Sequence, residues 1–149
     1  MQNNALKLVL EMEQRKEREA AHEFGNARHQ FTLQQRRLEG LSHYRQDYLN
    51  QANARAQQGL GSSTFGQYHA FVGKLDEGIG QQQKQLERIR SHVEQLKQKW
   101  MAQQQRRKAV EMLIQKREQE TNQLRARQEQ RTSDEFAMQG FLRRIREKS

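Results

Sequence analysis

Apolar residues recur in alternating steps of three and four along both halves of the chain. In the first half they are Leu6, Leu10, Ala20, Phe24, Ala27, Phe31, Leu38, Leu41, Tyr48 and Ala52. In the second half they are Phe65, Tyr68, Val72, Leu75, Ile79, Leu86, Ile89, Val93, Leu96, Trp100, Val110, Ile114 and Leu124. This spacing places one narrow apolar stripe on each of two long helices, which is typical of coiled coils.

A short breaker separates the two patterns at residues 59–66. It combines Gly59 and Gly61 with three candidate helix N-caps, Ser62, Ser63 and Thr64, in a chain that has no proline. If the chain folds back at Leu60, both helices rise equally per residue, so facing residues have numbers that sum to about 120. The breaker therefore predicts a specific register that the apolar pattern can test.

The apolar residues satisfy that register over nine layers. The facing pairs are Leu6 with Ile114, Leu10 with Val110, Ala20 with Trp100, Phe24 with Leu96, Ala27 with Val93, Phe31 with Ile89, Leu41 with Ile79, Tyr48 with Val72, and Ala52 with Tyr68. Two unrelated helices would not share one register, so the pattern predicts an all-α fold: a long two-helix antiparallel coiled-coil hairpin.

The predicted hairpin is a single domain over residues 1–149. We expect helix one at about 4–57, the turn at about 58–64, helix two at about 65–131 and a C-terminal amphipathic overhang at about 132–149. Glu13 falls opposite Arg107, which indicates a polar layer that fixes the register. Arg45 falls opposite Leu75, with room for its stem to pack and its guanidinium to reach water.

Residues beyond 117 have no helix-one segment opposite them in this register. Thr132 and Glu135 have the spacing of a capping box, which predicts a kink or a new helix start there. An apolar stripe follows, flanked by arginines: its members are Met138, Phe141, Leu142 and Ile145, with Arg143, Arg144 and Arg146 on other faces. An unpartnered stripe is either a docking surface or a segment that frays in isolation.

The composition agrees with an elongated fold. Only 33% of the residues are hydrophobic and 30% are charged, which suits two helices that bury one stripe each. The chain has no cysteine, so disulfides and thiolate metal sites are excluded. No apolar run is long enough to span a bilayer, and no signal peptide is visible, so we expect a cytoplasmic protein.

The net charge of +9 is unevenly distributed. Residues 84–117 contain ten Lys or Arg and three Glu. Three interpretations compete: a solvated coiled-coil face, a surface for an acidic protein or an anionic membrane, and a nucleic-acid surface. The last is the weakest, because no aromatic residues alternate with the basic ones and no nucleic-acid-binding motif is present.

Nothing in the sequence indicates catalysis. There is no cysteine nucleophile, no glycine-rich phosphate loop and no carboxylate pair in a predicted pocket, and the five histidines lack metal-ligand spacing. Two helices also form no deep concave site. We therefore expect no enzymatic activity, no cofactor, no metal and no small-molecule substrate.

Aromatic residues gather near the turn. Tyr48, Phe65 and Tyr68 lie on the predicted seam, whereas Tyr44 and Phe71 lie off it. Exposed aromatics of this kind are typical anchors for protein partners. The alternative is that both rings fold over the edge of the seam.

At these residues the sequence resembles the FliJ family of flagellar type III export proteins. The resemblance is carried by Tyr-Arg-Gln-Asp-Tyr-Leu at 44–49, Tyr-His-Ala-Phe-Val-Gly-Lys-Leu at 68–75, Trp100 after a heptad run, and Asp-Glu-Phe-Ala at 134–137. It covers nearly the whole chain in length and layout. The chain departs from the family pattern at Arg37, Gly78 and Gln82.

The resemblance implies a stalk-like coiled coil of the flagellar export apparatus, located at the cytoplasmic face of the inner membrane. Such proteins bind the hexameric export ATPase (FliI), promote its activity, link it to the export gate (FlhA) and escort export chaperones. It also implies a gate-binding surface near the turn, here Leu41, Tyr44, Tyr48, Phe71 and Leu75. The same seam assigns Leu41, Tyr48 and Leu75 to the core.

For the ATPase, a stalk would present the end opposite the turn. That end contains the helix-one start and the overhang with Met138, Phe141, Leu142, Ile145, Arg143 and Arg144. Two alternatives remain at this point: the equivalent stalk protein of a virulence-type injectisome, and a basic coiled coil that binds nucleic acid.

Overall fold

Two helices account for nearly all of the chain. A computed structural model describes residues 2–59 and 61–148, and within them it contains α1 (Gln2–Gln57, 56 residues) and α2 (Ser62–Lys148, 87 residues). The two helices pack against each other as an antiparallel hairpin, and the described residues contain no strand. The predicted fold class is confirmed.

Burial follows a heptad along both helices. On α1 the less exposed positions include Leu6, Leu10, Glu13, Glu17, Ala20, Phe24, Ala27, Phe31, Gln34, Leu38, Leu41, Arg45, Tyr48 and Ala52. On α2 they include Phe65, Tyr68, Val72, Leu75, Ile79, Gln82, Leu86, Ile89, Val93, Leu96, Trp100, Gln103, Arg107, Val110, Ile114 and Arg117. The steps of three and four are unbroken, as coiled-coil packing requires.

Contacts between the helices agree with the predicted register. Tyr48 lies 4.7 Å from Phe71 between ring centroids, the Lys99 ammonium is 3.6 Å from the Glu23 carboxylate, and the Arg90 guanidinium is 5.5 Å from the Phe31 ring centroid. Each pair has residue numbers that sum close to 120. Between residues 23 and 99 the helices therefore adopt the register inferred from the apolar pattern.

The chain divides into two compact units, each built from both helices. One consists of Met1–Arg15 with Gln104–Ser149, and the other is Lys16–Gln103. Among the described residues, the buried apolar side chains are Ala20, Ala52 and Val72 in the second unit and Ile114 in the first. The core is thin because each helix buries only one stripe, so most seam side chains stay partly exposed.

The turn is shorter than the sequence indicates. Gly59 has φ of 92°, a left-handed conformation that glycine adopts at little cost after a helix end. The N–H groups of Thr64 and Phe65 donate to the Gly61 carbonyl at 3.2 Å, so α2 begins at Ser62 and not at about 65. Glycine is an acceptable N-cap, which is why the helix starts before the predicted serine and threonine caps. The predicted fold-back residue, Leu60, lies outside the described residues.

The predicted capping box at Thr132 is wrong. Helix α2 continues through this position to Lys148, and the Thr132 hydroxyl donates to the Gln128 carbonyl at 3.0 Å. A threonine inside a helix makes this bond to the preceding turn as an alternative to capping. Gln130 also donates to Asp134 at 3.0 Å along the same helix. The local cap signal is outweighed by the uninterrupted run of good helix formers at residues 123–131, which precedes it.

Polar residues occupy several seam positions, as predicted. Glu13 and Arg107 are half-buried in the first unit, and Gln103 is buried in the second. The Arg107 guanidinium pairs with Glu111 one turn along α2 at 3.0 Å. Arg45 is also half-buried, and its guanidinium forms an ion pair with Asp76, the residue after Leu75. Its stem thus lies on the seam while the charge reaches a partner at the edge.

Candidate functional site

The tip surface consists of Leu41, Tyr44, Tyr48, Phe71 and Leu75, all within the unit Lys16–Gln103. Leu41, Tyr48 and Leu75 are half-buried on the seam, whereas Tyr44 is 52% exposed and Phe71 is 37% exposed. The structure therefore gives the surface two layers: a seam layer that holds the helices together and an outer pair of rings that faces solvent.

The aromatic members of the tip surface form one cluster. The Tyr44 ring lies edge-on to Phe71 with centroids 6.5 Å apart, and it is 6.3 Å from Tyr48. Tyr48 in turn lies 4.9 Å from Tyr68. Edge-to-face and tilted rings at these distances attract one another, so the exposed rings are held in place by the half-buried ones. Tyr44 and Phe71 are thus exposed and also positioned, as protein-binding anchors are.

Two further polar contacts border this cluster. Arg55 donates to the Tyr68 hydroxyl and places its guanidinium 5.9 Å from the Tyr68 ring centroid. The Arg45 and Asp76 ion pair lies one helical turn from Tyr48 along α1. The sequence analysis missed Tyr68 and Arg55 as supports of the surface. The signal was present, because in the predicted register Tyr68 lies one layer from Tyr48 and Arg55 lies one layer further toward the turn.

The helix-two end surface consists of Met138, Phe141, Leu142, Ile145, Arg143 and Arg144, all exposed on α2 in the other unit. Met138 and Phe141 are each 58% exposed, and Leu142 and Ile145 are about half exposed. The α1 residues of the hairpin register have ended before this part of α2, so no α1 side chain covers it. The predicted overhang is confirmed in this respect: α2 presents an apolar stripe without a partner helix among the described residues.

A second exposed apolar group lies near the start of α1 and was not predicted. Leu8, Val9 and Met12 are 61%, 41% and 55% exposed, and Leu113 on α2 is 41% exposed. Their spacing of three and four places the α1 residues on one helix face beside the seam. Val9, Met12 and Leu113 each precede a seam position by one residue, and this apolar spacing was the signal that could have revealed them.

Several of the basic residues between 84 and 117 pair with glutamates. Arg90 lies 3.5 Å from Glu87, and both side chains are more than half exposed. Lys99 pairs across the helices with Glu23. Exposed pairs of this kind contribute about 0 to 1 kcal/mol each. These contacts agree with the solvated coiled-coil face among the three interpretations of this segment.

The described residues present little that resembles a chemical site. A groove beside the helix-two end is lined by Arg125, Gln128, Glu129, Thr132, Ser133, Phe136 and Ala137, all from one face of α2. One helix supplies one wall, so the groove encloses nothing. Within the described parts of the chain, no three His, Asp or Glu side chains are grouped as metal ligands would be. Neither described helix has an apolar stretch long enough to cross a membrane.

Comparison with known proteins assigns the chain to a family. The model of the family described as the flagellar FliJ protein matches residues 1–146, which is nearly the whole chain. Comparisons with curated proteins and with solved structures give no significant match. The match spans both helices and both candidate surfaces. The chain therefore belongs to the FliJ family, a coiled-coil, non-catalytic component of flagellar protein export.

Proposed function

We propose that this protein is a non-enzymatic stalk of the flagellar export apparatus. In this proposal it binds the ring of the export ATPase through the helix-two end surface and promotes its activity. It contacts the export gate through the tip surface, and so links the two. Its place is the cytoplasmic side of the flagellar base, where it associates with the membrane only through the apparatus. Membership of the FliJ family supports flagellar export over the injectisome alternative.

The observation that carries the ATPase assignment is the uncovered stripe of α2. Met138, Leu142 and Ile145 lie on one helix face and are each half or more exposed, although they are apolar. Arg143 and Arg144 lie beside them and are also exposed. An exposed apolar stripe with basic flanks suits a partner that offers an apolar groove with acidic edges.

The gate assignment depends on the outer rings of the tip surface. Tyr44 is held by contacts with Tyr48 and Phe71, yet half of its surface faces solvent. Rigid, partly exposed aromatic rings lose little conformational entropy when a partner covers them. Leu41 and Leu75 contribute to the same surface from the seam. Escort of export chaperones is part of the proposed role, and no surface is assigned to it.

The direct test is stimulation of the purified export ATPase. A chain that ends at Glu135 lacks the whole helix-two end surface and should lose most of the stimulation, while its helix content per residue stays close to that of the full chain. The double variant Leu142→Ala and Ile145→Ala should lose stimulation in the same direction, because alanine keeps the helix and removes the apolar contact. Gln139→Ala, on the same segment, is the matched control and should stimulate normally. Full stimulation by the shortened chain would overturn the ATPase assignment.

A cellular test addresses the export role as a whole. A strain without this protein should swim poorly or not at all, and the full chain supplied in trans should restore motility. The Leu142→Ala and Ile145→Ala variant should restore it less well than Gln139→Ala does. Normal swimming of the deletion strain would contradict the export function.

A further inference from the structure

The heptad of α2 does not stop where α1 stops. From the last covered position, Arg117, the same steps of three and four continue along the exposed part of the helix. The positions are Thr121, Leu124, Gln128, Arg131, Glu135, Met138, Leu142 and Ile145. Leu124 is 61% exposed, and the apolar seam residues beyond it, Met138, Leu142 and Ile145, are each half or more exposed. A seam that keeps its period without an intramolecular partner has the form of an interface for another helix.

We propose that this seam, residues 117–148 of α2, pairs antiparallel with the same segment of a second copy of the chain. The axis of the pair lies near Ser133. In this arrangement Leu124 of one copy faces Leu142 of the other, and Thr121 faces Ile145. Gln128 faces Met138. The new interface continues the intramolecular seam in the same heptad register.

Charge complementarity favours this occupant. In the proposed register Arg131 of each copy faces Glu135 of the other, so the two charged seam positions neutralise each other twice. Sliding one copy by a heptad would instead place Arg131 against Leu142 and Glu135 against Met138. A parallel pair would set Arg131 against Arg131 and Glu135 against Glu135, which is repulsive. The antiparallel register is the one in which the charged seam positions match.

The flanking positions add to the same pattern. Beside the seam, Glu118 of one copy comes near Arg146 of the other, and Glu120 comes near Lys148, again twice each. The two Asp134 residues, one from each copy, approach each other near the axis. They form the one like-charged contact of this set. Opposite charges at flanking positions select partner and orientation in coiled coils. Here they select a second copy in the antiparallel direction.

The pairing has a consequence for the export role, and this consequence rests on the proposed ATPase binding. Self-association covers Met138, Leu142 and Ile145, which belong to the helix-two end surface. A paired chain therefore cannot present that surface to the ATPase. Because several seam layers are polar, the dimer is weak and forms only at high protein concentration. The dimer therefore keeps the chain inactive toward the ATPase until the ATPase ring competes for the same surface.

The first test measures the mass of the full chain by sedimentation equilibrium over a wide range of concentrations. The wild-type chain should dimerise, and Arg131→Glu should weaken the dimer by about tenfold or more, because four carboxylates then meet at the axis. Glu135→Arg should weaken it likewise, and the double variant should restore it. Both residues are exposed, so the variants should fold like the wild type. A wild-type chain that remains monomeric at high concentration would overturn the proposal, as would a double variant that stays as weak as the single ones.

The second test reports direction through single cysteines, since the chain has none of its own. Leu124→Cys and Leu142→Cys chains, mixed and oxidised, should form a disulfide between different chains. Leu124→Cys alone should not form one efficiently. Efficient linkage of Leu124→Cys alone would indicate parallel pairing and overturn the proposal. Binding of a strictly monomeric chain to anionic vesicles would overturn it too, because the stripe would then serve a lipid surface.

The two proposals fail separately. A chain that stimulates the ATPase but never dimerises refutes self-association and leaves the export role intact. A chain that dimerises but never stimulates the ATPase refutes the proposed role of the helix-two end surface and leaves the dimer intact.

Discussion

The Phe24 and Trp100 rings stack across the two helices with centroids 5.6 Å apart and planes inclined by 16°. In the hairpin register Trp100 faces Ala20, one layer from Phe24. Side chains on a helix lean toward its N-terminus, and in an antiparallel pair this lean brings Phe24 and Trp100 toward each other. The small Ala20, which is buried, provides the space that the indole occupies. This contact involves the single tryptophan of the chain.

Removing either ring should destabilise the hairpin. Trp100→Ala should lower the free energy of unfolding by about 2 to 4 kcal/mol, at or below the range for a large core aromatic because the ring is only half-buried. Phe24→Ala should cost somewhat less. In urea unfolding, the double variant should reveal a coupling of about 0.5 to 1.5 kcal/mol between the rings. Phe136→Ala, whose ring is 72% exposed, is the control and should change stability by about 0.5 kcal/mol or less. Strictly additive losses for Phe24 and Trp100 would show that the stack contributes nothing.

The tip surface should separate binding from stability. Tyr44→Ala should weaken binding to the export gate several-fold and lower the melting temperature only slightly, because half of the ring is exposed. Tyr48→Ala should lower the melting temperature clearly, because its ring contacts Tyr68 and Phe71 on the seam. Calorimetry and a binding titration on the same preparations distinguish the two effects. A large loss of stability in Tyr44→Ala, with gate affinity unchanged, would show that Tyr44 is a packing residue and not a gate-binding residue.

Phe71→Ala provides an intermediate case. Its ring is 37% exposed and contacts both tyrosines, so we expect a loss of gate affinity together with a moderate loss of stability. The double variant Tyr44→Ala and Phe71→Ala should bind the gate no better than the weaker single variant.

Replacing either of two exposed glycines inside α1 by alanine should stabilise the hairpin. A Cβ added at Gly25 or Gly40 meets no atom within 4 Å, and both positions are exposed. Gly25→Ala and Gly40→Ala should therefore each raise the free energy of unfolding by about 0.5 to 1 kcal/mol. Gly59→Ala is the contrasting variant: it also meets no atom, but its φ of 92° strains an L side chain, so it should destabilise. Equal effects at Gly40 and Gly59 would contradict the assignment of the turn.

The seam was predictable because one local rule repeats along the chain. Once a fold-back near residue 60 is assumed, each apolar position has one facing partner, and pairs such as Tyr48 with Val72 follow from the period alone. The uncovered part of α2 followed in the same way, since α1 is too short to reach it. Charge at Arg45 was also placed correctly on the seam, but its partner was not identified.

Details that depend on side-chain direction or on weak local competition were not predictable in this way. The stack of Phe24 on Trp100 joins neighbouring layers, which a facing rule does not describe. The Thr132 prediction failed because a cap is worth about 1 kcal/mol and continuation of the helix gains more. Partner surfaces depend on a second molecule as well as on this chain. Exposure shows that Tyr44 and Leu142 are accessible to a partner, and binding measurements identify that partner.

The measurement that tests the hairpin register most directly is an intramolecular disulfide between Ala27→Cys and Val93→Cys. The two positions face each other on the seam and both are half-buried. Mild oxidation of dilute protein should link them within one chain, as seen by mass spectrometry after proteolysis. Ala27→Cys with Leu86→Cys, displaced by one heptad, should link poorly. Failure of the 27 and 93 pair to link within one chain, or equal linkage of the displaced pair, would contradict the register on which both surfaces depend.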